Sequence, residues 1–155
     1  VNTIGIIGID ASFLLIALGI RHNNVNVICY DEEDDLRKIA SKSGLVTTSS
    51  VQAVLLHLAT PKIVWITRPM QKEMDALIYQ LADLLDRGDI VIDTTPALEH
   101  ETAWRHELLN SIGIGYLKGR VNKTEVYLQG DVDAFYRCKP LFGEIEDPFN
   151  SINYN

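Results

Sequence analysis

IGIIGIDASFLL, residues 4–15, runs from an apolar, β-branched strand through Gly8 into a helix. The helical side is set by Phe13, Ile16, Ala17 and Ile20, which recur at helical spacing on one face. A strand, a glycine turn and a helix N-terminus are the parts of the G-x-G-x-x-G turn that cradles a pyrophosphate. In that turn the first glycine bends the chain, the second lets phosphate approach backbone, and the third lets helix and strand pack closely. Here the three places hold Gly8, Asp10 and Phe13. A carboxylate at Asp10 repels phosphate by on the order of 4 kcal/mol per like-charge pair at ~4 Å and an effective dielectric of ~20. Asp10 also suits the N-cap of the helix. Phe13 puts a ring where the pattern has a hydrogen.

Outward from this turn, short apolar runs alternate with helical patterns. Strands are expected at Thr3–Ile7, Val25–Tyr30, Ile63–Ile66 and Ile90–Asp93, with weaker ones at Tyr116–Lys118 and Val126–Gln129. Helices are expected over Phe13–Ile20, Asp35–Lys42, Val51–Leu58, Glu99–Leu109 and Val132–Phe142. Met74, Leu77, Ile78, Leu81, Leu84 and Leu85 mark another, which Arg87-Gly88 closes with the glycine at C′. This order implies an α/β fold with a doubly wound, mostly parallel sheet covered on both faces. One domain is expected over residues 1–146, followed by an Asn-rich tail at 147–155 without periodicity.

Composition narrows the function classes. The chain has 155 residues, a formal net charge of -7 and scattered Lys and Arg, which argues against a nucleic-acid surface. The apolar run Ile4–Ile20 approaches the ~20 residues of a membrane span. Gly5, Gly8 and Asp10 divide it into strand and helix instead, so no membrane segment is expected. Cys29 and Cys138 read as unpaired thiols of a reducing, cytoplasmic or other intracellular protein, of cellular or viral source. Asn122-Lys123-Thr124 matches a glycosylation acceptor, a frequent chance match. His100 and His106 are six apart and do not share a helical face, so no metal site is expected.

The segments TIGIIGI, VNVICYD, PKIVWITRP, LADLLDRGDIVID, ELLNSIGIGYL and VYLQGDVDAF...KPLFGEI cover nearly the whole chain. In this order the chain resembles the N-terminal Rossmann domain of 6-phosphogluconate dehydrogenase and its β-hydroxyacid dehydrogenase relatives. LLDRGDIVID followed by LQGD carries the resemblance most specifically. It implies a dinucleotide at Gly8 and Ile9, with the acid Asp31 at the spacing that meets an adenosine ribose. Arg68 and Pro69, after the strand Ile63–Ile66, stand where open sheets bind ligands. Asp31 would favour NAD over NADP, although acids before a helix also complement its dipole.

Other positions depart from the family. Where it has a first turn close to G-L-G-R-M-G, this chain has Gly8-Ile9-Asp10-Ala11-Ser12-Phe13. Where it has a substrate-contacting G-G-N-S type segment, this chain has Thr94-Thr95-Pro96-Ala97. Lys118-Gly119-Arg120-Val121-Asn122 replaces its glycine-rich G-x-S-G-G loop. The chain stops where the family's all-helical domain, with its catalytic lysine, would begin. No catalytic residue is therefore named, and the expectation is that no cofactor is held.

Two functions stay open. One is a degenerate, non-catalytic Rossmann module serving as a scaffold, assembly unit or partner-binding domain. The other is the cofactor-binding domain or subunit of an NAD(P)-dependent 6-phosphogluconate or β-hydroxyacid dehydrogenase. The first is favoured by the lost turn and loop residues. It is favoured too by Leu14, Leu15 and Leu18, expected on the outer face of the first helix. A helix apolar all round is normally buried all round, and each leucine would contribute about 1.5–3 kcal/mol on burial. A protein partner or a second copy is expected over these three.

Overall fold

Apolar strands without an outward polar face must be covered on both sides, and the computed structural model, which describes residues 3–69, 74–122 and 125–142, covers them so. The strands are β1 (Thr3–Ile7), β2 (Asn26–Tyr30), β3 (Val46–Thr47), β4 (Ile63–Ile66), β5 (Ile90–Asp93), β6 (Gly115–Asn122) and β7 (Glu125–Gly130). Between and after them lie α1 (Ala11–His22), α2 (Asp34–Lys42), α3 (Val51–Leu56), α4 (Met74–Leu84), α5 (Glu99–Ser111) and α6 (Val132–Cys138), then a 3-10 turn at Lys139–Phe142. They form one seven-stranded sheet in the order β3-β2-β1-β4-β5-β6-β7, parallel except for β7. This is the expected Rossmann-like fold. Its strand order reverses between β1 and β4, the switch point where such sheets open a ligand crevice.

The two cores follow from the period-two alternation of strands. Ile4 and Ile6, Val27 and Cys29, Ile63 and Trp65, and Ile90 and Ile92 face α1 and α6. Ile7, Ile28, Val64, Ile66 and Val91 face α3 and α4. Burial pushes the Cys29 and Cys138 thiols up to about 12, and neither is in a disulfide. No helix among the described residues is long and apolar enough to cross a membrane.

Several boundaries move for physical reasons. Strand β3 has two residues, too few for a periodic signal, and exists through pairing with β2 at Ile28↔Val46 and Cys29↔Thr47. Strand β6 runs on to Asn122 because β7 pairs with it as a hairpin, from Leu117↔Gly130 to Asn122↔Glu125. Helix α4 ends at Leu84, and Gly88, with φ +94, serves a later turn rather than C′. That turn is held by the buried Asp89, whose carboxylate accepts from the backbone N–H of Asp86 and Lys62, each at 2.8 Å. The last helix tightens to a 3-10 turn at Lys139, where Pro140 brings no N–H. The tail 147–155, and Lys123 and Thr124 of the acceptor-like triplet, lie outside the described residues.

Helix α1 exposes less than expected. Phe13, Ile16, Ala17 and Ile20 are buried as their spacing requires. Of the three outer leucines, Leu15 is 66% exposed, whereas Leu14 and Leu18 are half-buried against the core. The periodicity alone did not place Lys139–Phe142 beside α1, where it joins the same core.

Gly119 shows how tightly the hairpin is built. A Cβ there would lie 2.0 Å from the backbone oxygen of Tyr127. Gly119→Ala should force β6 from β7 and cost about 1–3 kcal/mol as an overpacking change. Urea unfolding at unchanged slope reads this as a lower midpoint.

Candidate functional site

Three chain segments converge at the carboxyl ends of β1, β2 and β4. Gly8 N–H donates to Tyr30 O at 2.8 Å, and Thr67 N–H donates to Ile7 O at 2.9 Å. The Thr67 hydroxyl donates to Gly8 O at 2.5 Å. Gly8 has φ +98, and a Cβ there would sit 2.6 Å from Arg68 Cγ and 2.8 Å from Arg68 N. Gly8 is therefore required twice, by its left-handed conformation and by the close approach of the β4 loop.

Asp31 closes this junction and is fully buried. Its Oδ2 accepts from Ile9 N–H at 2.8 Å, and its Oδ1 accepts from Glu33 N–H at 2.9 Å. Arg68 Nε lies 3.0 Å from Oδ2 as an ion pair without hydrogen-bond alignment, and Arg68 Nη2 lies 3.5 Å from Glu33. A carboxylate has about four acceptor positions, so Oδ1 keeps room for a further donor. Gly8, Ile9, Asp31 and Arg68, singled out in the sequence, thus meet at one place, while Pro69 is exposed beside it. Asp34, next along, pairs with Lys38 and Arg37, and Lys38 first, then Arg37, hold its carboxyl below the usual range.

At Phe13 the altered fingerprint leaves this crevice clear. The Phe13 ring is 2% exposed and packs edge-on against Trp65, with centroids 5.9 Å apart. It points into the core, so it takes the helix–strand packing role of the third glycine rather than the space of a ligand. Helix α1 begins at Ala11, which puts Asp10 at the N-cap position. The Gly8 turn and Asp31 fit the adenosine half of a dinucleotide, while Asp10 stands at the start of α1, on the phosphate side.

A second polar cluster, of which periodicity carries no sign, lies at the carboxyl end of β5. Asp93 is fully buried. Its Oδ1 accepts from Thr95 N–H at 2.9 Å and from the Thr95 hydroxyl at 2.6 Å. Its Oδ2 accepts from Arg105 at 3.0 Å and from the Tyr116 hydroxyl at 2.7 Å. Burial first, then the Asp93 charge, push the Tyr116 phenol up, which keeps it a donor. Lys118 donates to Thr95 O, and its ammonium lies 3.8 Å from Asp93. Burial lowers the Lys118 pKa against the opposing pull of Asp93. Thr94 is tied down as well, its hydroxyl accepting from Trp65 Nε1 at 2.9 Å. Thr94 and Thr95 are thus pinned by internal bonds, and the buried charges of the cluster face one another.

His106, which shares no helical face with His100, joins α5 to the β7–α6 corner. Its Nε2 lies 2.8 Å from Asp131 Oδ1, while Asp131 Oδ2 accepts from Asn110 and from Tyr116 N–H. Burial alone would raise the Asp131 pKa, but the bonds from Tyr116, Asn110 and His106 hold it below the usual range. Among the described residues, no group of three His, Cys, Asp or Glu is placed to hold a metal.

The strand order and the crevice at its switch point define a Rossmann dinucleotide-binding domain. The family described as the NAD binding domain of 6-phosphogluconate dehydrogenase matches residues 3–145, and the chain belongs to it. A decarboxylating 6-phosphogluconate dehydrogenase of Bacillus licheniformis is 26% identical over an alignment of 156 positions, covering 93% of this chain and 33% of that protein. A Bacillus subtilis relative with the same identity and coverage is named NAD(+)-dependent. The chain spans about a third of the length of these curated relatives. Among solved structures, Plasmodium falciparum 6-phosphogluconate dehydrogenase, described in complex with NADP+, superposes with a TM-score of 0.79 at 19% identity, covering 98% of this chain and 36% of that one. Mycobacterium tuberculosis 3-hydroxyisobutyrate dehydrogenase does so at 0.78 and 15%, covering 91% and 50%.

Membership overturns the expectation that no cofactor is held, because the family is that of an NAD binding domain. The relatives include one named for NAD(+) and one described with NADP+, so membership does not by itself choose between the two dinucleotides. Phe13 lies in the core as its helical spacing implies, and its ring fills the helix–strand contact that the third glycine makes in the family pattern.

Arg105→Met should leave the Asp93 charge buried and short of its partner, costing about 3–5 kcal/mol in urea unfolding. The Asp131 contribution should depend on pH. Its folded pKa is depressed, so its stabilisation is full above the ordinary value of ~3.9 and is lost as pH falls through the folded value. The stability gap between wild type and Asp131→Asn should therefore be widest near neutral pH and close in acid, as followed by thermal melts from pH 7 to pH 3.

Proposed function

We propose that this chain is the nicotinamide-dinucleotide-binding domain of a 6-phosphogluconate dehydrogenase-like protein. The observation that carries this reading is the convergence of the Gly8 turn, Ile9 and Asp31 beneath the switch point of the sheet. Asp31 is the group that takes the adenosine ribose, and the start of α1 faces the pyrophosphate side. A bound nicotinamide supplies hydride chemistry. The residues of this chain bind and orient it. Asp93, Arg105 and Tyr116 bond one another in the interior, so they hold the β5 loop rather than reach a substrate. Substrate chemistry is accordingly assigned to groups beyond this crevice.

A non-catalytic role for the domain, as a scaffold or partner-binding module, is the second reading. The β6–β7 hairpin favours it, because in-register pairing to Asn122↔Glu125 stands where the family resemblance places a glycine-rich loop. Association with a protein partner or a second copy through α1 would rest chiefly on Leu15.

Calorimetric titration with NAD+, NADH, NADP+ and NADPH tests the first reading. Micromolar binding of at least one is expected, with Asp31→Asn, checked for folding by circular dichroism, weakening it by about tenfold or more, ~1.4 kcal/mol. Absence of heat and of thermal shift with all four at millimolar concentration would overturn it.

A further inference from the structure

We propose that Arg68 is an affinity-determining latch, whose guanidinium covers the ribose-binding carboxylate of Asp31 and must swing away before a dinucleotide binds. The inference rests on the dinucleotide-binding reading and adds to it a residue that opposes binding.

The geometry has three parts. First, Arg68 leaves β4 at the switch point and its stem crosses the Gly8 turn, which has no side chain to hold it off. Second, the guanidinium bridges two acids on the β2–α2 corner, with Nε 3.0 Å from Asp31 Oδ2 and Nη2 3.5 Å from Glu33. Third, Asp31 is fully buried beneath this bridge, while Arg68 and Glu33 keep 28% and 46% of their side-chain surface. A ribose hydroxyl therefore meets the latch before it meets the carboxylate.

The hold is firm yet reversible. Arg68 Nε is buried and paired with Asp31 by charge, but it is out of hydrogen-bond alignment. The carboxylate does not need Arg68 for its directional bonds, since Ile9 N–H and Glu33 N–H supply them. Displacing Arg68 costs an ion pair and leaves the backbone bonds standing. Partly exposed, the guanidinium has solvent to swing into. A site that is open for only a fraction of the time has its apparent affinity reduced by that fraction. If the latch is closed about nine-tenths of the time, removing it tightens binding about tenfold.

The test is calorimetric titration of the whole chain with NAD+ and NADP+, and in parallel with AMP, which carries the adenosine half alone. Arg68→Met keeps the stem over Gly8 and removes the charge. Glu33→Gln loosens one end of the bridge and leaves Asp31 and Arg68 in place. Arg68→Met should bind both the dinucleotide and AMP about tenfold more tightly than wild type, and Glu33→Gln more tightly by a smaller factor. A tighter complex is not what a merely damaged fold produces, so the direction of change separates a latch from a structural role. Unchanged or weaker binding by a folded Arg68→Met, or by Glu33→Gln where the first variant does not fold, overturns the latch and leaves the dinucleotide reading in place. Absence of binding by wild type and both variants up to millimolar ligand overturns the dinucleotide reading and the latch together.

Discussion

A buried carboxylate must be satisfied from within the protein, and Asp31 is satisfied by joining three parts of the chain. Its oxygens accept backbone N–H groups from the turn after β1 and from the corner after β2, while Arg68 brings the loop after β4 to the same point. Removing the carboxylate would leave these donors without partners in a site closed to water, where each orphaned group costs about 1–3 kcal/mol. The crevice of this domain is thus built around one side chain. The left-handed Gly8 and the close passage of Arg68 over it are the geometric conditions for the junction.

The same device recurs on β5. Asp89 captures Lys62 N–H and Asp86 N–H before the strand, and Asp93 captures Thr95 N–H after it. Each carboxylate takes backbone donors that a turn leaves over and converts a loop into a fixed feature. Asp93 goes further, since Arg105, Tyr116 and Lys118 gather round it from α5 and β6. Buried charges so fully engaged with one another are suited to holding shape. Asp31 differs, because its Oδ1 accepts a single backbone N–H and the arginine beside it is partly exposed.

This difference also explains how a family member keeps its fold while its fingerprint drifts. The three glycines of the pattern answer to separate constraints. Gly8 remains because backbone geometry and the β4 loop demand it. Phe13 is tolerated because helix–strand spacing is filled by an edge-on pair with Trp65, itself braced by Phe142 at 5.5 Å. Asp10 stands at a helix start, where its residue type is favoured.

Much of this protein was legible from its residues taken in order. The continuous apolar strands imply a sheet covered on both faces, the helical spacing of α1 and α4 marks their buried sides, and Gly8, Ile9, Asp31 and Arg68 are recognisable as one candidate site. These features are local, or have a period that a single segment displays. Tertiary structure decided what depends on contacts distant in sequence. It placed Lys139–Phe142 beside α1, so that Leu15 rather than all three leucines is exposed. It made β3 a strand through β2, and lengthened β6 through β7. It set Phe13 edge-on against Trp65 and assembled Asp93, Arg105 and Tyr116 from three elements. It also laid Arg68 across Asp31, thirty-seven residues earlier in the chain. Periodicity reports which face of an element avoids water, but not what stands opposite that face, and the partners of a buried charge are fixed only when the chain closes round it.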